Sequence, residues 1–233
     1  MSAHAFGFLG AALSMFIAWP QVFLSCVRRR TGGLSPAACL FAVTMPAGWL
    51  TYGLLIGDRI QVFSNLLNLV SGLAVLLALL ITRPRLRSVR ALRGAAGITG
   101  TVLFAICVAT ASAVLPQVTA TRAAALLGTV LAVSSFLSAV PQPLALLRNR
   151  TQDMSGLSPM RFRLAAAANG SWLVYGLGAG QPAVWASALV GLGSALVVCA
   201  VLATRRGPAT STAIATPPWR ESVVTRSLAM SGV

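Results

Sequence analysis

Long apolar runs, separated by short polar or arginine-rich connections, make up most of this 233-residue chain. A helix needs about 20 apolar residues to cross the roughly 30 Å hydrocarbon core of a bilayer. Runs of that length predict membrane-spanning helices at residues 5–27, 36–57, 60–82, 95–118, 123–147, 160–179 and 182–204. The predicted fold class is therefore all-α, a polytopic membrane protein with seven transmembrane helices.

The composition supports this class. Hydrophobic residues make up 57% of the chain and charged residues only 9%, whereas soluble domains carry roughly 25% charged residues. The net charge of +15 raises the alternative of nucleic-acid binding. That partner is not expected, because the arginines cluster between apolar runs, where they anchor helix ends at a membrane surface.

The distribution of arginine predicts the orientation. Of the 18 basic residues, all of them arginine, only Arg59 and Arg122 lie on the side of the membrane that the other arginines avoid. Positively charged connections stay in the cytoplasm, so the N-terminus is expected outside and the C-terminus inside. We expect a multi-pass protein of the cell membrane, and the alanine-rich, lysine-free composition favours a bacterial inner membrane.

The chain contains an internal repeat, which decides the predicted domain organisation. Residues 20–21 (PQ) recur at 141–142, residues 34–36 (LSP) at 157–159, and residues 49–54 (WLTYGL) at 172–177 (WLVYGL). The offset is 121 residues before the turn and 123 after it. We predict a first three-helix repeat at 1–82, a basic loop and linker helix at 83–122, a second three-helix repeat at 123–204, and a disordered cytoplasmic tail at 205–233.

The number of crossings sets how the repeats are related. Three crossings invert the chain, so a second repeat joined directly would be upside down. The linker helix restores the direction, and two parallel repeats are expected to enclose a space near the middle of the membrane, where transporters place their substrates.

These features resemble the PQ-loop transporters, above all the SWEET sugar facilitators and their half-size bacterial relatives, the SemiSWEETs. The resemblance covers nearly all of residues 5–204. It implies alternating access about proline hinges at Pro20, Pro36, Pro141 and Pro159. It also implies a sugar pocket lined by Trp49, Trp172 and Asn65, although Ala188 stands where symmetry implies a second pocket asparagine.

The two Pro-Gln pairs have a physical explanation of their own. Proline inside a helix removes a backbone donor and leaves a carbonyl unpaired, which is costly in a bilayer. Gln21 and Gln142 follow directly and are expected to donate an amide hydrogen to that carbonyl, which makes each pair a hinge. The alternative is a static kink, and Pro36 and Pro159 also suit the first turn of a helix.

Polar residues inside the predicted spans are candidates for substrate binding. Asn65 offers both a donor and an acceptor to a hydroxylated solute. Asn68 lies on a stripe with Ser64 and Ser71, which Ser187, Gly191 and Ser194 mirror in the second repeat. Interhelical hydrogen bonding is the alternative for the serines. Asn169 is a further candidate. Tyr52 and Tyr175 are expected at the membrane interface.

Missing residue types narrow the function. The only carboxylates are Asp58, Asp153 and Glu221, in connections or the tail, and the only histidine is His4. Proton-coupled carriers use titratable groups inside the membrane, so we expect facilitated diffusion. We expect no enzyme activity, no cofactor and no metal.

The sequence therefore predicts a uniporter that moves a small neutral sugar, a mono- or disaccharide, down its gradient. Its expected partners are that sugar and membrane lipids, and self-association into a homo-oligomer stays open. The alternatives are a PQ-loop exporter of amino acids or another metabolite, and a membrane receptor or scaffold without transport activity.

Overall fold

The computed structural model describes residues 2–29, 31, 34, 36–82, 96–113, 115, 118–148 and 159–205. Regular structure in these ranges is helical throughout, and none of them contains a strand. The predicted all-α class is therefore confirmed. The arginine-rich loop at 83–95 lies outside the described residues. So does the tail at 206–233, and the disorder predicted for the tail stays a prediction.

Eight α-helices are found in the described ranges: α1 Ala3–Val22, α2 Pro36–Ile56, α3 Arg59–Thr82, α4 Ala96–Ala113, α5 Ala120–Ala139, α6 Pro141–Arg148, α7 Pro159–Gly178 and α8 Pro182–Arg205. Four of them begin on proline, which tolerates the first helical position because the N–H it lacks has no intrahelical partner there. Asp58 begins α3 differently: its Oδ1 accepts hydrogen bonds from the backbone N–H groups of Ile60 and Gln61 at 2.9 and 3.1 Å.

Five helices are long and apolar enough to cross a membrane: Ala3–Val27, Pro36–Ile56, Arg59–Thr82, Ala120–Ala139 and Pro182–Thr204. They fit the predicted multi-pass membrane protein. The apolar part of α4, Thr99–Ala113, is shorter, and α7 carries Arg161 and Arg163 in its first turns. The crossings predicted at 95–118 and 160–179 therefore stay predictions.

The four prolines proposed as hinges occupy two kinds of position. Pro20 lies inside α1, which continues into a π-helical turn, Phe23–Val27. Pro36, Pro141 and Pro159 are the first residues of their helices. The span predicted as one helix over 123–147 is consequently divided at Val140, because Pro141 has no N–H with which to continue the ladder of α5.

The prediction that Gln21 donates to the carbonyl left unpaired by Pro20 is wrong. Its Nε2 donates to Ser25 Oγ at 2.8 Å, towards the C-terminal end of the helix, and not to the carbonyl that Pro20 leaves unpaired. The π-helical turn brings Ser25 to this position, where the residue is completely buried. The side chains of Pro141 and Gln142 lie outside the described part of the chain, so the hinge role of both pairs stays a prediction.

Helix contacts follow the same pattern in both halves of the chain. In the first half, α3 packs against α1 and α2; in the second, α8 packs against α5 and α7. Between the halves, α1 packs against α7, and α5 packs against α2. The main contacts of α4 are with α2 and α5. Its Val102 is fully buried in the central core.

Glycines show how closely the two contacts between the halves agree. A Cβ on Gly7 of α1 would lie 2.8 Å from the Tyr175 ring and 3.2 Å from Ile60. A Cβ on Gly128 of α5 would lie 2.9 Å from the Tyr52 ring and 2.7 Å from Ala183. Every residue in the first contact is replaced in the second by its repeat equivalent. Small residues of this kind let membrane helices approach closely.

Candidate functional site

A cavity of about 320 Å³ lies between the two halves of the molecule. α1, α2 and α3 line it on one side, and α5, α7 and α8 on the other. The structure brings together all six side chains that the sequence nominated for substrate binding: Trp49, Asn65, Asn68, Asn169, Trp172 and Ser187. Its volume is in the range of small-molecule sites.

The two tryptophans occupy equivalent positions in α2 and α7, and each rests against a tyrosine one turn further along. The Trp49 and Tyr52 rings meet edge to face at 5.5 Å, and the Trp172 and Tyr175 rings at 5.6 Å. Tyr52 is 5% and Tyr175 2% exposed, so both rings lie inside the protein, and their expected depth at the membrane interface stays a prediction. A residue three positions after a cavity-lining tryptophan shares its helix face and is buried with it.

Trp172 is held more tightly than Trp49. Its Nε1 donates to Ser14 Oγ at 3.3 Å, and Ser14 Oγ donates to the Gly10 carbonyl at 2.8 Å. A Cβ on Gly10 would lie 3.1 Å from the indole, so the ring packs directly on the backbone of α1. Trp49 Nε1 has no hydrogen-bond partner among the described residues.

Asn65 differs from the expectation that it offers both a donor and an acceptor. It is only 8% exposed, and its Nδ2 donates to the carbonyl oxygen and to Oε1 of Gln61, both at 2.9 Å. Both amide hydrogens are therefore used within α3, and Oδ1 is the atom that stays available as an acceptor. Gln61 also lines the cavity and is held by this pair of bonds.

The other polar lining groups are less constrained. Asn68 is partly buried and has no hydrogen-bond partner in the part of the chain that is described. Asn169 Nδ2 donates to the Ala165 carbonyl at 2.8 Å, and Ser187 Oγ donates to the Val184 carbonyl at 3.0 Å. Asn68, Asn169 and Ser187 each have at least one polar atom that bonds to no other described residue.

The walls of the cavity are chemically unlike. Gln61, Asn65 and Asn68 give α3 a row of amides, whereas α8 places Val184, Ala188 and Gly191 at the corresponding level. No charged side chain lines the cavity among the described residues. The arrangement suits a neutral solute with hydroxyl groups and apolar faces, because indole rings stack on C–H faces while amides bind hydroxyls.

A hydrogen-bond network that sequence reasoning missed joins the two halves about one helical turn beyond the cavity-lining residues Gln61 and Val184. Asp58 Oδ2 accepts hydrogen bonds from the Tyr175 hydroxyl and from Gln181 Nε2, the latter at 2.6 Å. These bonds join the connection between α2 and α3 to α7 and to the start of α8. The buried Oε1 of Gln181 has no hydrogen-bond partner in the part of the chain that the structure describes.

The signal for this network was present in the repeat. Asp58 and Gln181 are equivalent positions, and each follows a glycine with positive φ, +70° at Gly57 and +64° at Gly180. Their backbone N–H groups donate to Gly53 and Gly176 carbonyls, both at 2.8 Å. Two matched turns that present polar side chains towards the same axis predict that those side chains meet.

Comparison with known proteins adds no constraint: the sequence matches no protein-family model and no curated protein.

Proposed function

We propose that the protein is a SWEET-like facilitator that moves a small neutral sugar across the cell membrane by alternating access. The observation that carries the proposal is the cavity, in which two equivalent tryptophans and several amides from both halves of the chain surround an uncharged space. A scaffold needs no such cavity between its halves. A uniporter does, because its substrate must leave water and be bound by uncharged groups inside the bilayer.

The proposed architecture has seven crossings, with the two three-helix repeats parallel and α4 as the segment that inverts the chain. The matched glycine contacts at Gly7 and Gly128 support a two-fold relation between the repeats. The bond between the equivalent residues Asp58 and Gln181 at helix ends favours an axis along the membrane normal, because an axis in the membrane plane would bring equivalent residues together near mid-membrane. The arginine distribution supports an outside N-terminus and a cytoplasmic C-terminus. The Asp58 end of the cavity then faces the outside.

Transport in this proposal requires the Asp58 network to break and re-form. With Tyr175 and Gln181 bonded to Asp58, the outer end is closed and a sugar exchanges with the cytoplasmic end. Movement of α1 about Pro20 and of α5 against α6 at Pro141 separates the halves at the outer end. The carrier needs no ion gradient, because the cavity offers no titratable group among its described lining residues.

The absence of charge also separates this proposal from an amino-acid exporter. A zwitterion brings an ammonium and a carboxylate group, and burying either without a counter-charge is costly. The hydroxyl groups of a sugar need only the neutral amides and serines that line the cavity. The observed lining therefore favours the sugar.

Uptake of radiolabelled glucose and sucrose into proteoliposomes tests the proposal. We expect saturable uptake that stops at equal concentrations on both sides and does not change when a pH gradient is imposed. Liposomes without protein are the control for leakage. Saturable uptake of neither sugar, or accumulation above equilibrium driven by protons, would overturn the proposal.

A further inference from the structure

We infer that Asn169 is a specificity-determining residue of the cavity, where it supplies from α7 the amide that the second half lacks on α8. The inference rests on the proposed sugar transport and names one of its binding groups. It follows from the geometry of two positions, Asn169 and Gly191, and from their equivalents in the first half, Pro46 and Asn68.

The amide lies on a different helix in each half. In the first half, the third helix carries the amide, Asn68, and the second helix carries Pro46. In the second half, the helix equivalent to the third carries Gly191 and the helix equivalent to the second carries Asn169. Each half thus contributes one amide at this level, but from a different helix.

In its observed conformation, the Asn169 side chain leaves no room for a side chain on residue 191. A Cβ on Gly191 would lie 2.3 Å from Oδ1, 2.8 Å from Cγ and 3.1 Å from Nδ2 of Asn169. The amide of Asn169 therefore occupies the space in which any side chain on residue 191 would begin. Glycine at 191 is what allows Asn169 to reach the cavity, and the amide stands close to where an asparagine on α8 would place its own.

The hydrogen bonds of Asn169 leave it able to bind a hydroxyl group. One amide hydrogen goes to the Ala165 carbonyl at 2.8 Å, which fixes the side chain against α7. The second hydrogen and Oδ1 stay available, so the group offers a donor and an acceptor to the same solute. Asn65 offers only an acceptor, and its equivalent is Ala188, so Asn169 is the only amide lining the cavity from the second half in the described residues.

Asn68 and Asn169 would thus place one amide at each of two opposite edges of a bound sugar ring. Asn68 binds a hydroxyl from the first half and Asn169 one from the second, while the small side of the cavity at Ala188 accepts an apolar face. A pyranose with hydroxyl groups on opposite edges of the ring meets both amides. A sugar that lacks the hydroxyls on one edge loses one of them.

Four variants in proteoliposomes test the inference with radiolabelled glucose. Loss of one neutral hydrogen bond corresponds to a change of about three- to tenfold, so Asn169→Ala is expected to raise KM by that factor. Moving the amide to α8 in the double variant Asn169→Ala with Gly191→Asn is expected to restore KM. The matched double variant Asn169→Ala with Gly191→Ala fills the same space without an amide and should not restore it. Gly191→Ala alone should raise KM as Asn169→Ala does, because it displaces the amide.

Thermal unfolding provides a readout that does not depend on transport. Gly191→Ala is expected to lower the midpoint when Asn169 is present, because of the clash, and to raise it by a few degrees when residue 169 is alanine, because alanine then favours the helix without meeting a side chain. Where Asn169→Ala does not yield monodisperse protein, Asn169→Ser is used in the same comparisons.

The outcomes separate the two proposals. Wild-type protein that moves glucose, with an unchanged KM in Asn169→Ala, overturns the role of Asn169 and leaves the transport function standing. Wild-type protein that moves neither glucose nor sucrose overturns both. A Gly191→Ala effect on stability that is the same with and without Asn169 overturns the steric coupling on which the inference is built.

Discussion

Gln181 Nε2 donates to Asp58 Oδ2 at 2.6 Å, so two residues at the same position of the two repeats bind each other where the halves meet. A contact between equivalent residues forms only close to the axis that relates the halves. Tyr175 donates to the same oxygen from a ring that also packs on Trp172. The Asp58 network therefore contacts the cavity-lining Trp172 through the Tyr175 ring.

Asp58→Ala is expected to lower the free energy of unfolding by about 1–3 kcal/mol, since Tyr175 and Gln181 lose a buried acceptor and α3 loses its cap. It should also increase the labelling of a cysteine introduced at Ser187 by a membrane-impermeant maleimide, applied from the Asp58 side to a variant without the native cysteines. Asp58→Asn is the control, because its Oδ1 still caps α3 and its Nδ2 can donate to Gln181 Oε1. Equal labelling of all three proteins would contradict a closing role for Asp58.

Trp49→Ala and Trp172→Ala are each expected to lower kcat/KM for sugar uptake about tenfold or more, which corresponds to about 1.4 kcal/mol of lost binding. Phenylalanine at either position keeps a stacking face and should retain most of the activity. Trp19→Ala is the matched control, since Trp19 is 64% exposed and lies outside the cavity. Transport that is as sensitive to Trp19→Ala as to the two cavity variants would show that the effect is structural.

Asn65 is expected to accept a hydrogen bond from the sugar and not to donate one, because both of its amide hydrogens bind Gln61. Competition by deoxy and deoxyfluoro glucose analogues measures this. Fluorine cannot donate, so at the hydroxyl that Asn65 binds the fluoro analogue should compete as weakly as the deoxy analogue. In Asn65→Ala protein, removal of that hydroxyl should no longer matter. A fluoro analogue that competes as well as glucose at every position would argue against an acceptor-only role.

Gly7→Ala and Gly128→Ala are expected to destabilise the protein to a similar extent, by about 1–2 kcal/mol, since each added Cβ would meet a buried tyrosine ring at under 3 Å. Gly193→Ala is the control: a Cβ there meets nothing within 4 Å, and alanine favours the helix by about 1 kcal/mol. Thermal or denaturant unfolding of purified protein gives the three values. Opposite effects of Gly7→Ala and Gly128→Ala on stability would contradict the matched packing of the halves.

Pro20→Ala is expected to slow uptake at saturating sugar severalfold while leaving KM nearly unchanged, because an added N–H closes the helix ladder and stiffens α1. Stability should be unchanged or higher. Pro36→Ala is the control, since Pro36 begins α2 and its missing N–H has no intrahelical partner. A wild-type rate in Pro20→Ala protein would make Pro20 a static kink.

The repeat made the cavity predictable. Trp49, Trp172 and Asn65 were nominated from the resemblance to the SWEET proteins, and the equivalence of the two tryptophans in the repeat supports the pair. Asn68, Asn169 and Ser187 were nominated because polar residues inside apolar helices need a partner or a cavity. All six line one space.

The errors come from choices that periodicity does not determine. Gln21 can donate towards either end of α1, and only the π-helical turn that brings Ser25 within 2.8 Å decides the direction. The division of the helix at Val140 depends on how α5 and α6 pack, which apolar composition alone does not reveal. Asp58 was recognised as lying in a connection, but its partners come from residues 117 and 123 positions away, so the network is a property of the tertiary fold.

The orphaned oxygen of Gln181 bears on how firmly the halves hold together. A buried carbonyl oxygen with no donor destabilises the folded state by about 1–3 kcal/mol. This is comparable to the stabilisation from the hydrogen bond that Gln181 Nε2 donates to Asp58. In the proposed transport cycle, a closure held by so small a net free energy would open on the binding of a sugar. A substitution that gives Gln181 Oε1 a hydrogen-bond donor is therefore expected to hold the protein in the closed state and to slow transport.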